Sequence, residues 1–296
     1  MTRVLVSGGT GFVGRFIVEH LMAAGYDVVA GGRTPPAPAF FSKPVAFVPL
    51  ALDPDIDQSV AFRDVDHFVH AAFQHVAGRY RGGEGDDPEG FRRSNLDGSV
   101  RLFRTARDHG VKRCVFLSSR AVYGDQLPGV ELFEDTACHP ESLYGSLKLE
   151  AENALAALGT NAFKAVSLRV TGVYGRSGTG AAHKWQPLFD DYLAGREIAP
   201  RAGTEVHGDD VAAAVRLTLE APLDRLTSRV FNISDVLVDN RAILAIVQQI
   251  TGSKHALPRP ATLTAFNAMN SEKIRALGWQ PGGLERLRAT VRTLLA

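Results

Sequence analysis

The sequence predicts a doubly wound α/β fold, in which helices cover both faces of a parallel sheet, with a smaller part at the C-terminal end. Short apolar runs, which are typical of buried parallel strands, alternate with helically spaced stretches over residues 1–170. Gly25, Gly110 and Gly159 stand where the helical stretches stop, as helix-terminating glycines do. This alternation weakens after residue 170, so the architecture is expected to change there.

Six strands and three long helices are predicted in the first domain. The strands are continuous apolar or β-branched runs at 4–6, 28–30, 47–50, 67–72, 114–117 and 165–170. The helices carry apolar residues on one face and are expected at 12–24, 91–108 and 143–158. A polar, glycine-rich loop at 78–90 follows the fourth strand, and its length is typical of functional loops.

The remaining residues are expected to divide between two parts of the molecule. A helix at 209–220 and a strand at 230–233 predict that residues 206–235 return to the first domain, which covers 1–170. Residues 171–205 and 236–296 then form the smaller, substrate-binding part. Its expected elements are helices at 188–194, 241–251 and 284–295 and loops at 175–180 and 198–203.

Composition excludes several classes of protein. The 296 residues include 33 basic and 32 acidic ones, and the net charge of +1 gives no broad surface for nucleic acid or an anionic membrane. Cys114 and Cys138 are too few for a disulfide scaffold. The N-terminal apolar run is too short for a signal sequence, and no uncharged stretch approaches the roughly 20 residues of a membrane span. A cytoplasmic location with free cysteines is therefore expected.

A glycine-rich turn joins the first strand to the first helix. Gly8, Gly11 and Gly14 follow the pattern G-x-x-G-x-x-G. Glycine lets such a turn adopt positive φ, lets the backbone approach a pyrophosphate and lets the helix pack closely on the strand. The start of the helix, at Phe12 and Val13, then offers free N–H groups to an anion. These features predict a dinucleotide-binding site of the Rossmann type.

Six motifs in a fixed order make the chain similar to a known family. They are VSGGTGFVG (6–14), HAA (70–72), NLDG (95–98), LSSRAVYG (117–124), YGSLK (144–148) and VHGDDV (206–211). With this set, which extends over most of the chain, the sequence resembles the extended short-chain dehydrogenase/reductase family, also called the NAD-dependent epimerase/dehydratase family. The resemblance implies a nicotinamide cofactor and an active site at the carboxyl ends of the strands.

The resemblance also implies a catalytic set of Ser119, Tyr144 and Lys148. Tyr144 and Lys148 share one helix face, and a nearby ammonium favours the phenolate form of a tyrosine. Tyr144 then exchanges the substrate hydroxyl proton, while Ser119 holds the oxygen and Lys148 orients the nicotinamide ribose. Asn95 is similar to a family residue that orients the site, although a purely structural role in the helix is an equal alternative. No metal site is expected, and cofactor contacts are implied for Gly8, Gly11, Phe12, Val13, Gly14, Arg33, Ala71, Ala72, Leu117, Tyr144, Lys148 and Val170.

The end of the second strand bears on the choice between NAD and NADP. An acidic residue at this position bonds the ribose 2′-hydroxyl of NAD, whereas an arginine accommodates the 2′-phosphate of NADP. The strand runs into Gly31, Gly32 and Arg33 without a carboxylate. The sequence therefore favours NADP, with Arg33 on the 2′-phosphate. The alternative is NAD held through backbone contacts alone.

Four positions depart from the family pattern. Arg120 and Ala121 stand where family dehydratases carry an Asp-Glu pair, so a dehydratase is not expected. Gly172 and Gly203 stand where nucleotide-sugar epimerases carry an Asn and an Arg that bind the substrate. The sequence therefore favours an NAD(P)-dependent oxidoreductase that acts on a small polar, sugar-like substrate.

Two other functions are compatible with the sequence. One is a non-catalytic, dinucleotide-sensing protein on the same fold, which the intact Ser119, Tyr144 and Lys148 disfavour. The other is an NAD-dependent nucleotide-sugar epimerase, whose anionic substrate would have to be met by Arg176, His183, Lys184 or Arg201.

The assembly is expected to be a homodimer. The helices expected at 91–108 and 143–158 resemble the pair that forms a four-helix dimer interface in this family. A small-molecule substrate is expected as a partner, and neither nucleic acid nor a membrane is.

Overall fold

The computed structural model describes residues 1–76, 83–176, 178, 183–226 and 228–295. Its strands are β1 (Arg3–Ser7), β2 (Asp27–Gly32), β3 (Ala46–Pro49), β4 (His67–His70), β5 (Arg113–Ser119), β6 (Lys164–Val170), β7 (Gly172–Tyr174), β8 (Ala202–His207), β9 (Val230–Ile233) and β10 (Val236–Asp239). The main sheet is parallel, in the order β3-β2-β1-β4-β5-β6-β9. The strand order reverses between β1 and β4, and a crevice for a ligand forms at the carboxyl ends of strands at such a point.

Helices cover both faces of the main sheet, and others pack beside a smaller one. They are α1 (Phe12–Ala23), α2 (Pro88–Arg92), α3 (Ser99–Asp108), α4 (Leu143–Leu158), α5 (Gln186–Leu193), α6 (Gly208–Glu220), α7 (Asn240–Thr251), α8 (Glu272–Ala276) and α9 (Gly283–Leu295), and a π-helical turn (Arg93–Gly98) joins α2 to α3. None of the described helices is both long and apolar enough to cross a bilayer.

The residues of β1 show why the strands read as continuous apolar runs. Val4 and Val6 lie in the core beneath α1 and α6, whereas Leu5 lies in the core beneath α3 and α4. Because the side chains of a strand point alternately to the two faces, a sheet buried on both sides needs apolar residues at every position. The predicted doubly wound fold is therefore confirmed.

A smaller sheet has the order β10-β8-β7, with β7 parallel and β10 antiparallel to β8. Together with α5, α7 and α9, it encloses a separate core that includes Tyr174, Trp185, Phe189 and Leu244. Trp185 and Phe189 therefore pack in a core. This second sheet adjoins the main one directly, because only Thr171 separates β6 from β7.

Several predicted boundaries are wrong. The loop expected at 198–203 ends early, because β8 begins at Ala202 and pairs with β7 and β10. The strand expected at 67–72 ends at His70, where pairing with β1 and β5 stops. The loop expected at 78–90 is helical from Pro88, where Asp87 caps α2. Parts of that loop and of the loop expected at 175–180 lie outside the described residues.

A buried ion pair fixes the carboxyl end of β6 against α4. Arg169 donates to the Glu152 carboxylate over 2.8–3.2 Å and to the backbone carbonyl of Glu134 at 3.1 Å. Its guanidinium also lies over the ring of Tyr123, 4.8 Å from the centroid. Because the Arg169 and Glu152 side chains are only 6% and 4% exposed, each charge depends on the other for compensation.

Candidate active site

The glycine turn between β1 and α1 is tightly closed. Gly8 has a φ of +68°, a conformation that favours glycine, and its carbonyl accepts a hydrogen bond from the Gly11 amide at 2.9 Å. A Cβ on Gly14 would lie 2.0 Å from the Gly8 carbonyl oxygen, and a Cβ on Gly8 would lie 2.7 Å from the Ala72 backbone. The turn thus excludes side chains at both positions, and it exposes backbone to a ligand.

The N-terminus of α1 is suited to an anion. Gly11 is the N-cap and has no side chain to bond the amides of the first turn, which also contains no acidic residue. The predicted contact residues Phe12 and Val13 lie in this first turn of the helix. Ala71 and Ala72, also predicted, border the glycine turn at Gly8. An uncapped helix terminus beside a close backbone approach fits the pyrophosphate of a dinucleotide.

The end of β2 adjoins the same turn. The carbonyl of Gly31 accepts a hydrogen bond from the Gly9 amide at 3.3 Å. Gly32 ends the strand, and Arg33 follows it with an exposed side chain. The structure therefore places Arg33 beside the glycine turn and accessible to a ligand.

Ser119, Tyr144 and Lys148 lie on neighbouring elements at the carboxyl side of the sheet. Ser119 is the last residue of β5, where it aligns with Val170, the last residue of β6. Tyr144 and Lys148 lie in the first two turns of α4, whose N-terminus is capped by the Ser142 hydroxyl. The cap fixes the start of α4, and it therefore helps to fix the position of Tyr144 in the first turn.

Lys148 is held between aromatic rings. Its Nζ donates to the carbonyl of Leu117 at 2.6 Å and lies 4.6 Å from the ring centroids of both Phe73 and Phe116. The Tyr144 ring centroid is 5.9 Å away. Attraction to the ring faces partly compensates a cation for its lost water. The rings of Phe73 and Phe116 are site components for which no sequence motif gives a signal.

Burial lowers the pKa of Lys148 from 10.5 to about 7, and the charge of Glu152 opposes this shift. Glu152 is itself paired with Arg169, so part of its charge is compensated before it acts on Lys148. The charged and the neutral forms of Lys148 are therefore both accessible near neutral pH.

Asn95 lies in the π-helical turn and holds the segment that follows β4. Its Nδ2 donates to the carbonyls of Gln74 at 2.8 Å and Phe91 at 3.0 Å, and its Oδ1 accepts from the Gln74 amide at 2.7 Å. Gln74 follows Phe73, whose ring meets that of Tyr144 edge-on at 4.9 Å. The oxygen and the nitrogen of the Asn95 amide are both bonded to the backbone. Asn95 therefore acts on the site indirectly, by holding the segment that carries Phe73.

His70, at the end of β4, joins β1 to α3. Its Nδ1 lies 2.6 Å from the Ser7 hydroxyl oxygen, and its Nε2 lies 2.8 Å from that of Ser99. Burial, with a smaller effect from the Lys148 charge, lowers the pKa of His70 to about 3, so its ring is neutral at pH 7. Within the described part of the chain, no group of three His, Cys, Asp or Glu side chains is arranged to hold a metal ion.

The two glycines that depart from the family pattern border an ion pair. Gly172 on β7 aligns with Glu205 on β8, and Gly203 lies two residues before Glu205 on the same strand. The Glu205 carboxylate accepts a hydrogen bond from Lys184, so one of the cations available to an anionic substrate is already paired. The sequence gives no signal for Glu205, because its partner is 21 residues away.

Known proteins are similar to this chain over most of its length. Residues 4–234 match the model of the NAD dependent epimerase/dehydratase family. The chain is 31% identical to UDP-glucose 4-epimerase from Mus musculus, over 72% of this chain and 66% of that protein. It is 26% identical to UDP-glucose 4-epimerase from Corynebacterium glutamicum, over 94% and 91% of the two chains. The structure of UDP-glucose 4-epimerase from Thermus thermophilus in complex with NAD is 29% identical, with a TM-score of 0.79 over 100% of this chain and 99% of that one.

The substitution Lys148→Met is expected to stabilise the cofactor-free protein below pH 7. Below pH 7 the folded protein buries an ammonium that water solvates in the unfolded chain, and this burial lowers the free energy of unfolding. Each unit by which the pKa is lowered corresponds to about 1.4 kcal/mol of that free energy. Between pH 7 and 10.5 the folded protein loses this proton first, so the wild type gains stability and the difference shrinks. Urea unfolding at pH 6 and pH 9.5 measures both values.

The exposed Lys43 provides a matched control. Lys43→Met removes a charge that water already solvates, so its effect on the free energy of unfolding is expected to be small at both pH values. A stabilisation by Lys148→Met that is equal at pH 6 and pH 9.5 would contradict the burial of its charge.

Proposed function

Because the chain belongs to the NAD-dependent epimerase/dehydratase family, we propose that it is a nicotinamide-dependent oxidoreductase acting on a small, polar, sugar-like substrate. Hydride moves to or from a carbon that bears a hydroxyl or carbonyl group. The observation that carries this proposal is the position of Ser119 at the carboxyl end of β5 and of Tyr144 and Lys148 in the first two turns of α4, at the same edge of the sheet as the glycine turn.

Each of the three residues has a separate role in the proposed mechanism. Tyr144 takes the proton of the substrate hydroxyl during oxidation and returns it during reduction. Ser119 holds the substrate oxygen by a hydrogen bond, and the positive charge of Lys148 stabilises the phenolate form of Tyr144. A bound nicotinamide ring accepts or supplies the hydride. The amides at the start of α1 bind the pyrophosphate.

Asn95 is proposed as a positioning residue. Its amide fixes Gln74 and thereby Phe73, which contacts both the Tyr144 ring and the Lys148 ammonium. This arrangement helps to hold the acid/base pair in place. The role agrees with the family resemblance and needs no direct contact between Asn95 and a ligand.

The second candidate function is UDP-sugar 4-epimerisation, which is the activity named for the relatives from mouse and Corynebacterium glutamicum. In that reaction, hydride is removed and then returned to the other face of the same carbon. The substrate is oxidised only transiently, and the cofactor shows no net turnover. A net oxidoreductase instead releases its reduced or oxidised cofactor at the end of each cycle.

Tyr144→Phe is expected to lower turnover by about 10²–10⁴-fold, since it removes the acid/base hydroxyl. The matched control Tyr26→Phe removes a phenol that bonds Glu220 on the protein surface, and its turnover is expected to equal that of the wild type. Absorbance of the reduced nicotinamide at 340 nm follows net oxidation, and product analysis follows epimerisation. Full activity of Tyr144→Phe in both assays would overturn the mechanism.

We propose NADP as the preferred cofactor, with Arg33 on its 2′-phosphate, although the neighbour from Thermus thermophilus binds NAD. Arg33→Ala is expected to weaken NADP binding by about tenfold or more, the worth of a charge-assisted hydrogen bond, and to leave NAD binding unchanged. The control is Arg63→Ala at another exposed arginine. Calorimetric titration of both dinucleotides decides the question, and tighter binding of NAD by the wild type contradicts this proposal.

We also propose a homodimer built from α3 and α4 of each subunit. The outer face of this helix pair is charged, with Arg101 and Arg104 on α3 and Glu150 on α4, the latter paired with Arg92 at the end of α2. Light scattering at micromolar concentration is expected to give twice the 31.9 kDa chain mass. A monomer mass at this concentration would contradict the dimer.

The free cysteines support a reducing compartment. Cys114 is buried in the core and Cys138 is half-buried, and neither forms a disulfide. Disulfides are rare in the cytosol, and a cytoplasmic location is therefore part of the proposal.

A further inference from the structure

The ion pair between Lys184 and Glu205 joins a largely enclosed carboxylate to a lysine that reaches the surface. The Glu205 side chain is 12% exposed and that of Lys184 is 32% exposed. Burial raises the pKa of Glu205, while the charges of Lys184 and Arg201 oppose that shift. Lys184 therefore compensates a carboxylate that few water molecules reach.

Two glycines make room for this pair. A Cβ on Gly172 would lie 2.8 Å from the Lys184 Nζ and 2.9 Å from the Glu205 Oε2, too close for either atom to stay. A Cβ on Gly203 would lie 3.7 Å from the Glu205 Oε1, in ordinary contact. Each oxygen of the carboxylate thus faces a position without a side chain, and a longer residue at Gly172 would displace the ion pair.

The pair lies close to the proposed site of hydride transfer. Val170 aligns with Ser119, and the partners of a parallel pair are about 5 Å apart. Gly172 is two residues beyond Val170, which is at most about 7 Å along the chain. Glu205 aligns with Gly172. A substrate whose oxygen rests on Ser119 therefore brings its remaining groups near the Glu205 carboxylate.

Two of the other basic residues considered for substrate binding, His183 and Arg176, offer little to an anion. His183 is 5% exposed, and burial followed by the charge of Arg176 lowers its pKa, so its ring is neutral at pH 7. Arg176 donates to the carbonyl of Leu294 at 3.4 Å. Lys184 is engaged by Glu205, and Arg201 alone keeps an exposed guanidinium among the four basic residues considered for substrate binding.

We propose that the Lys184–Glu205 pair determines specificity: it accepts the uncharged, hydroxyl-bearing part of the substrate and disfavours a nucleoside diphosphate. A hydroxyl donates to the carboxylate and accepts from the ammonium, so a neutral polyol satisfies both charges. The pair has no net charge, so a diphosphate finds no uncompensated cation in it, and the neighbouring Glu205 carboxylate repels the anion where water is largely excluded. The inference rests on the proposed function, and it specifies that the sugar-like substrate of the oxidoreductase carries no nucleotide.

Titration of UDP into the cofactor-loaded protein tests this assignment without any turnover. Glu205→Gln keeps the shape of the side chain, removes the repelling charge and frees Lys184, so UDP is expected to bind about tenfold tighter or more than to the wild type. The double variant Glu205→Gln/Lys184→Met is expected to lose that gain. Asp191→Asn makes the same charge change in the exposed pair with Arg196 and is expected to leave UDP binding unchanged.

The signs of these effects decide the outcome. Weaker or unchanged UDP binding by Glu205→Gln, or micromolar binding of UDP by the wild type, overturns the inference. Thermal melting of each variant shows whether it is folded, and a loss of folding in Glu205→Gln leaves the affinity of the wild type for UDP as the deciding measurement. Failure of the proposed function is seen separately, as full activity of Tyr144→Phe.

Discussion

The close approach of Gly8, Gly14 and Ala72 is the constraint on which the rest of the structure depends. It brings the end of β1, the first turn of α1 and the segment after β4 within contact distance, where no side chain fits. The uncapped amides of α1 therefore face the crevice where the strand order reverses. Because β1 is a central strand, a shift of this turn would move the helix and both neighbouring strands, and the positions of Ser119 and Tyr144 would follow.

Much of the fold can be predicted from the sequence because the main sheet is buried on both faces. The central positions of β1, β4, β5 and β6 are then mostly apolar or small, and such runs stand out. The smaller sheet gives no comparable signal. β7 has three residues, β10 has four, and β8 begins Ala202-Gly203, so hydrophobic periodicity cannot develop in any of them. These strands are defined by pairing with partners that are distant in the chain.

The candidate site divides in the same way. Ser119, Tyr144, Lys148 and the glycine turn occur in local motifs, and a spacing of four residues on a helix is enough to predict a shared face. The partners of Lys148 cannot be found by such reasoning. Phe73 and Phe116 come from different strand ends, and a phenylalanine in an apolar run has no local feature that distinguishes a core residue from one beside a cation. Glu205 is similar, because its role depends on Gly172 and Lys184, which lie on other segments of the chain.

The neutral ring of His70 fixes the direction of a chain of hydrogen bonds. The hydroxyl of Ser99 has one proton and donates it to the carbonyl of Asn95 at 2.6 Å, so it must accept from His70. His70 therefore carries its proton on Nε2, and its bare Nδ1 accepts the proton of Ser7. The chain runs one way, from the residue before Gly8 to the turn that holds Asn95. Because the pKa of His70 is lowered to about 3, its ring stays neutral across the physiological pH range, and the hydrogen bonds that link the glycine turn to the turn holding Asn95 keep one direction.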